Sequence, residues 1–378
     1  MSNAEKLKDF KYYNIQSTIR NYPNAYYYMV IGERSNGKTH SSLDYILKRF
    51  FESGEQFAYL RRWGEDIRPK NLGNLFNTFI QDGYIKRYSH QLYDSVTYKS
   101  NKFYLTKEDE DGVVQVMAEP FGFAFDLNSM EHIKSLSFPG ITTIIFDEFL
   151  SRNGYLTNEF ILFTNMISTI VRQRNNVKII MLGNTVNRYS PYFGEMGLKH
   201  IKDQKQGTID VYHYSQTNLE VVVEYCGTGV SQGGKKSDVY FAFDNPELKM
   251  ITTGSWEIAI YPHLMVKYKP KDVVAEFFVE FDNDLLHGSI VSLANEAPFV
   301  FLHRKTTPIK NEDSDLIYCQ KATTGANRKV GISSHKDKIS RFIVRCLKES
   351  RVFYSENEIG EIFRNYIMWA DSISLRNM

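Results

Sequence analysis

The sequence predicts an α/β protein, with a mainly parallel central sheet over roughly the first 200 residues and a smaller domain after it. Three observations carry this. The runs Thr142–Phe146 and Val177–Leu182 are short and nearly all apolar, as parallel strands buried on both faces are. Helical apolar spacing alternates with such runs, as at Leu43, Ile46, Leu47, Phe50 and Phe51. From Trp256 onward the pattern changes to successive strands closed by two helices.

Taken in order, Ala25–Ile31 is a strand of aromatic and branched residues, followed by a helix over Lys38–Phe51. Gln56–Leu60 is the next strand. Asn158–Val171 is an amphipathic helix between the two apolar strands. Residues 1–202 form the first domain. Residues 203–255 are expected to be a connector or lid, with a strand-like piece at Leu219–Tyr225 and a glycine-rich basic stretch, Gly227–Lys236. Residues 256–378 form the second domain. There Val273–Phe281, Leu285–Leu293 and Phe299–His303 read as a β-meander, with Asp282-Asn283-Asp284 as a turn. Helices over His335–Ser350 and Glu356–Ile373 close the chain.

Bulk composition narrows the class. Apolar residues make up 42% and charged residues 24% of 378, as in soluble globular proteins. No apolar run reaches the roughly 18 residues of a membrane span, so no membrane partner is expected. Met1–Phe10 is polar and mixed in charge, unlike a secretory signal. Three scattered cysteines and nine unclustered histidines predict neither a disulfide framework nor a zinc site, and fit a reducing compartment. Net charge is only +2, yet Arg304–Arg351 holds 12 Lys/Arg against 5 Asp/Glu. That excess is either a polyanion-binding surface or a solvated helix face.

Gly32-Glu-Arg-Ser-Asn-Gly37-Lys38-Thr39 completes the pattern G-x-x-x-x-G-K-[ST], directly after a predicted strand and opening a predicted helix. That is a P-loop (Walker A motif). Its glycines let backbone N–H groups curl around phosphates, and the helix N-terminus adds positive potential. Gly32, Arg34, Ser35, Asn36, Gly37, Lys38 and Thr39 are therefore the candidate ATP-binding residues, with Lys38 on the β- and γ-phosphates and Thr39 supplying a hydroxyl to Mg²⁺. Ile144-Ile145-Phe146-Asp147-Glu148 has the form of a Walker B strand. Its C-terminal end presents two carboxylates where such sheets bind ligands. Asp147 is the candidate Mg²⁺ residue and Glu148 the candidate general base. The adjacent glutamate favours hydrolysis over a nucleotide switch and places the domain in the catalytic-glutamate (ASCE) class of P-loop NTPases.

Other candidates carry two readings each. Asn184, after Val177–Leu182, is either a polar sensor of the γ-phosphate or a turn former in Gly183-Asn184. Arg172 and Arg174 follow the 158–171 helix, as trans-acting arginine fingers or as cations complementing the helix dipole. Arg61 and Arg62 are open between DNA, phosphate and salt-bridge roles.

With these motifs in place, the chain resembles the DNA-packaging (encapsidation) ATPases of small podoviruses of the phi-twenty-nine type. Several parts occur in order: Gly32–Thr39 with its internal arginine, Gly54-Glu-Gln-Phe-Ala-Tyr-Leu-Arg-Arg62, Thr143-Ile-Ile-Phe-Asp-Glu-Phe149, Met166–Arg174 with its R-x-R end, and Ser190-Pro-Tyr-Phe193. The match spans roughly residues 24 to 193. Gly64 departs from it, since relatives carry a basic residue there.

The resemblance implies ATP-driven translocation of double-stranded DNA by a ring of subunits, a homopentamer. It further implies docking on the portal (connector) protein of an empty prohead in the host cytoplasm, with a packaging RNA between motor and capsid. It gives Arg172 the role of trans-acting finger and Arg174 a supporting one, and makes Lys134 a second trans-acting cation. It also implies that the second domain is a smaller α/β, RNase-H-like fold descended from a terminase nuclease. No acidic triad is visible there, so nuclease activity is not expected, and the basic Arg304–Arg351 surface is left for RNA, portal or DNA. Two rival readings are a ring-forming translocase or helicase of the same ATPase class, and a nucleotide-gated DNA-binding adaptor. The first would bring helicase motifs, and the second has less need of Glu148.

Overall fold

The structure, a computed structural model, describes residues 13–128, 137–151, 155–156, 158–184, 190–201, 203–215, 217–227, 261–282, 284–294, 296–320, 325–332 and 335–374. The chain divides into two compact units, Met1–Glu257 and Ile258–Met378.

The first unit is built on one ten-stranded sheet. Six central strands run parallel, in the spatial order β6 (Gly122–Asp126), β2 (Gln56–Arg61), β7 (Ile141–Asp147), β8 (Lys178–Asn184), β1 (Tyr27–Gly32) and β10 (Glu220–Tyr225). One edge is finished by antiparallel β4 (Lys102–Glu108), β3 (Ser95–Lys99) and β5 (Val114–Val116). The other edge is β9 (Thr208–His213), antiparallel to β10. The expected parallel α/β sheet is thus present. Its order also shows what the sequence did not: β8 lies between the P-loop strand β1 and the Walker B strand β7. An extra strand in that place is the arrangement of the class that Glu148 suggested.

Strand alternation divides the core into two layers. On one face Ala58, Leu60, Ile144 and Phe146 pack with Phe163, Met166 and Ile170 of α6 (Glu159–Val171). On the other, Phe57, Tyr59, Val30 and Ile145 pack with Leu43, Ile46 and Leu47 of α2 (Lys38–Ser53). A short helix α1 (Ile15–Asn21) precedes β1. Between β2 and β3 come α3 (Pro69–Leu72), α4 (Asn77–Gln81) and α5 (Tyr84–Tyr88), and α7 (Pro191–Glu195) follows β8.

The expected 203–255 connector is corrected by β9 and β10, which belong to this sheet. Val221, Val222 and Val223 of β10 are wholly buried beside β1. Local pattern could not place them, because β10's neighbour β1 is nearly 200 residues away in sequence, a separation no window of residues spans. The glycine-rich part, 228–236, lies outside the described residues.

The second unit carries a six-stranded sheet in the order β15 (Arg328–Val330), β14 (Ile317–Cys319), β11 (Val273–Phe281), β12 (Asp284–Val291), β13 (Phe299–Arg304) and β16 (Val352–Tyr354). The antiparallel meander β11-β12-β13 is as expected, and Asp282 turns the hairpin with φ 52°. β14 lies parallel to β11, and β15 parallel to β14. That strand order and direction match the RNase-H-like pattern. No helix occurs between β13 and β14, nor among the described residues between β14 and β15. Helices α8 (Lys338–Lys348) and α9 (Asn357–Ser374) follow, near the expected limits.

Both sheets use one packing device. Gly122 pairs with Phe57, and Gly288 pairs with Phe277. A Cβ at Gly122 would stand 1.9 Å from the Phe57 ring, and one at Gly288 2.2 Å from the Phe277 ring. The ring lies over the space a side chain would need. We predict that Gly288→Ala destabilises the second unit by roughly 1–3 kcal/mol, the cost of overpacking. Urea unfolding checks this, with Ser289→Ala as a neighbouring control.

Candidate nucleotide site

The P-loop leaves β1 at Gly32, which pairs in register with Asn184 at the end of β8. Ser35 (φ 61°) and Gly37 (φ 89°) turn the loop through left-handed conformations before α2 begins at Lys38. Arg34, Ser35, Asn36, Gly37, Lys38 and Thr39 line a cleft of 250 Å³ with Asp147, Glu148 and Asn184. A larger open hollow of 510 Å³ in the second unit is lined by residues such as Lys267, Tyr268 and Phe301. It contains no carboxylate and no phosphate-binding loop. The chemistry therefore belongs to the P-loop cleft.

Lys38 is buried, and its Nζ donates to the carbonyl of Glu33 (2.6 Å), to Asn36 Oδ1 (3.1 Å) and to Asn184 Oδ1 (3.4 Å). Burial pushes its ammonium down to about 8, against the pull of Asp147 and Glu33. Asn184 thus joins the site through its contact with Lys38. Arg34 is exposed at the rim.

Asp147 ends β7 and collects three donors. Thr39 Oγ1 donates to its Oδ2 at 3.1 Å and Tyr59 Oη to the same oxygen at 2.7 Å, while the Glu148 N–H reaches Oδ1 at 3.0 Å. Glu148 sits in the left-handed region (φ 59°), a strained place for a glutamate. Its carboxylate is half exposed and takes a 2.6 Å ion pair from Arg61 Nη2. Burial opposes the charge on Arg61, but Glu148 and its acidic neighbours outweigh that and raise its pKa.

Period-2 alternation separates Arg61, the last residue of β2, from Arg62, which follows it. Arg61 turns to the α2 side and meets Glu148. Arg62 turns to the α6 side, where Nε and Nη2 each reach Glu159 at 2.8 Å and Nη2 also reaches the Phe149 carbonyl at 2.7 Å. Glu159 further accepts from Tyr192 Oη (2.8 Å) and the Leu156 N–H (2.7 Å). Arg62 and Glu159 are both buried. This pair ties the backbone after Glu148 to α6. Sequence reasoning did not single out Glu159, and it quoted Tyr59 only as part of the Gly54–Arg62 segment, without a role. The only signal was alternation along β2, which says which face each residue takes but not what it meets.

The two arginines after α6 also separate. Arg172 caps the helix in an unusual backbone conformation (φ 52°, ψ −122°), is exposed, and is not among the residues lining its own chain's cleft. Arg174 instead donates to the carbonyls of Ile141 (2.7 Å), Ile170 (2.8 Å), Pro139 (2.9 Å), Phe138 (3.1 Å) and Val171 (3.2 Å). The expected supporting catalytic role of Arg174 is therefore corrected to a structural one, clamping the end of α6 to the start of β7. Lys134 lies outside the described residues.

Two outcomes follow from this geometry. Arg62→Ala should cost roughly 3–5 kcal/mol, because it leaves Glu159 buried and unpaired. Arg61→Ala should cost about 1 kcal/mol or less, since Glu148 remains solvated. Urea unfolding of both variants decides. Separately, Lys38 loses its charge as pH rises through about 8, so affinity for ADP should fall from pH 7 to 9.5 and binding should take up protons at the upper end. Its folded pKa is below the unfolded one, so the unfolded chain binds more protons between the two values, and this group's contribution to stability rises with pH across that window. Fluorescent ADP titration across pH gives the affinity.

Comparison with known proteins agrees with the geometry. The profile of the family described as podovirus DNA encapsidation protein (Gp16) matches residues 8–204, more than half of the chain. A DNA packaging protein of Bacillus phage B103 is 34% identical over 172 residues, 45% of this chain and 47% of that protein. The DNA packaging protein of Bacillus phage phi29 is 32% identical over 167 residues, 43% and 44% of the two chains. The matched stretch thus spans about half the length of these relatives. Among solved structures, the Phi-28 gp11 DNA packaging motor superposes with a TM-score of 0.57 at 17% identity, over 96% of this chain and 98% of that one, a likeness of fold. The cleft carries the P-loop and acidic pair by which the sequence resembled the encapsidation ATPases, and by its profile match the chain belongs to the podovirus DNA encapsidation protein family.

Proposed function

We propose that this protein is an ATP-hydrolysing motor that drives double-stranded DNA into a preformed prohead. One observation carries the chemical part: Thr39 of the P-loop lies 3.1 Å from Asp147 across the inserted strand β8, with Glu148 next in sequence. A phosphate loop, a hydroxyl–carboxylate pair and a second carboxylate are the parts that nucleotide hydrolysis needs. The relatives' designation as DNA packaging proteins supports the rest.

The residues fit the roles. The backbone of Arg34–Thr39 and the start of α2 cradle the β- and γ-phosphates, and the Lys38 ammonium leaves its loop carbonyls for them. Thr39 and Asp147 offer hard oxygens, the donors Mg²⁺ prefers, and they already meet. Bound there, Mg²⁺ would neutralise charge between the β- and γ-phosphates. Glu148 accepts a proton from the attacking water. Its ion pair with Arg61 competes with that task, so turnover depends on the pair opening. Asn184 orients the γ-phosphate region through the contact it shares with Lys38.

Arg172 acts in trans in this reading. It is exposed at a helix end and outside its own cleft, as a residue serving a neighbouring subunit must be. The ring has five subunits and docks on the portal in the host cytoplasm, with a packaging RNA at the capsid side. DNA grip is mainly to phosphates, since a motor must ignore sequence. In the second unit, Arg304, Arg328, Lys329 and Arg351 are engaged in ion pairs. Lys338, Arg341, Arg345 and Lys348, by contrast, align along one exposed face of α8, suited to a nucleic-acid backbone or the portal. Among the described residues, no group of three or more His, Cys, Asp or Glu could hold a metal, and the reading gives this unit no nuclease role.

The test is ATP turnover with and without double-stranded DNA, for wild type, Glu148→Gln, Arg172→Ala and a mixture of the two variants. The proposal expects DNA to stimulate wild type, each variant to lose turnover, and the mixture to recover part of it. Recovery arises because some interfaces then combine an intact Glu148 with an intact Arg172. Turnover indifferent to DNA and to Arg172→Ala would instead favour a nucleotide-gated adaptor.

A further inference from the structure

Tyr59 is a buried phenol that the hydrolysis account leaves unused. It lies in the middle of β2, with 2% of its surface exposed. Its hydroxyl donates to Asp147 Oδ2 at 2.7 Å, shorter than the 3.1 Å contact from Thr39 to the same oxygen. Burial, and then the neighbouring carboxylate, hold the phenol far above its ordinary pKa, so it remains a donor throughout the working pH range.

The geometry points to Tyr59 as the positioning residue that fixes the carboxylate of Asp147 for a divalent cation bound with nucleotide. This rests on the nucleotide-site reading above. Thr39 and Tyr59 share one oxygen of Asp147. When the Thr39 hydroxyl turns to a cation, its bond to Asp147 is given up. Tyr59 is then the side-chain donor that still holds the carboxylate in plane, with the Glu148 N–H on the other oxygen. A carboxylate that keeps its orientation loses less freedom on binding an ion, which is how groups behind the ligands tune metal affinity. Strand geometry supports the assignment. Tyr59 and Arg61 project to the same face of β2, so one strand presents Tyr59 to Asp147 and Arg61 to Glu148. The two consecutive carboxylates are thus held by alternate residues of one strand.

The test uses the full-length protein and fluorescent ADP, read as binding rather than turnover. Affinity is measured in EDTA and across a Mg²⁺ titration, for wild type and Tyr59→Phe. The inference expects Tyr59→Phe to bind ADP in EDTA as wild type does, while the Mg²⁺ concentration for half-maximal enhancement rises roughly tenfold. An unchanged Mg²⁺ midpoint, or equal losses with and without Mg²⁺, would overturn it. If wild type itself shows no ADP binding, or none that Mg²⁺ enhances, the nucleotide-site reading fails and this inference falls with it. Should Tyr59→Phe melt early, the substitution is repeated in an Asp147→Asn background. Recovery of the fold there supports the inference, because the unmet partner is then the Asp147 charge. Loss of the fold in both backgrounds overturns it.

Discussion

The structure depends on one carboxylate. Asp147 stands at the C-terminal end of a strand buried on both faces and takes hydrogen bonds from the P-loop helix, from β2 and from the next peptide N–H. A charged group in that position is tolerated only because it is fully hydrogen-bonded. Each donor comes from a different element, so the carboxylate registers their relative positions. Thr39 reaches it across β8, which occupies the slot between β1 and β7.

The same strand alternation that sorts apolar side chains into two layers also sorts function from support. On the α2 face, Tyr59 and Arg61 lead to the two acidic residues. On the α6 face, Arg62 leads to Glu159 and Tyr192, a buried cluster that meets the site only through the backbone carbonyls of Glu148 and Phe149. Arg174 does comparable work lower on the same face, where it collects carbonyls at the end of α6. Rigid support of this kind lets Glu148 hold a left-handed backbone conformation without the loop relaxing.

What the sequence disclosed follows from distance along the chain. Gly32–Thr39 and Asp147–Glu148 are contiguous patterns with strand and helix signals beside them, so their roles could be read locally. The β11–β12 hairpin was legible for the same reason. The partners of Arg62 and Arg174 were not, since Glu159 lies 97 residues from Arg62 and the carbonyl of Ile141 lies 33 residues before Arg174. An arginine near a helix end looks alike whether it serves a neighbour's phosphate or its own chain's carbonyls, and only packing separates Arg172 from Arg174. β10 was misplaced because a three-valine run carries no mark of which sheet it joins.

In the proposed reaction Glu148 is the base of a hydrolytic site rather than an accessory of a binding site. Single-turnover cleavage of radiolabelled ATP by Glu148→Gln, measured beside equilibrium ATP binding, tests it most directly. A general base at Glu148 requires binding close to wild type and cleavage slower by roughly 10²–10⁴-fold, the usual contribution of such a group. Cleavage at the wild-type rate with binding intact would contradict it.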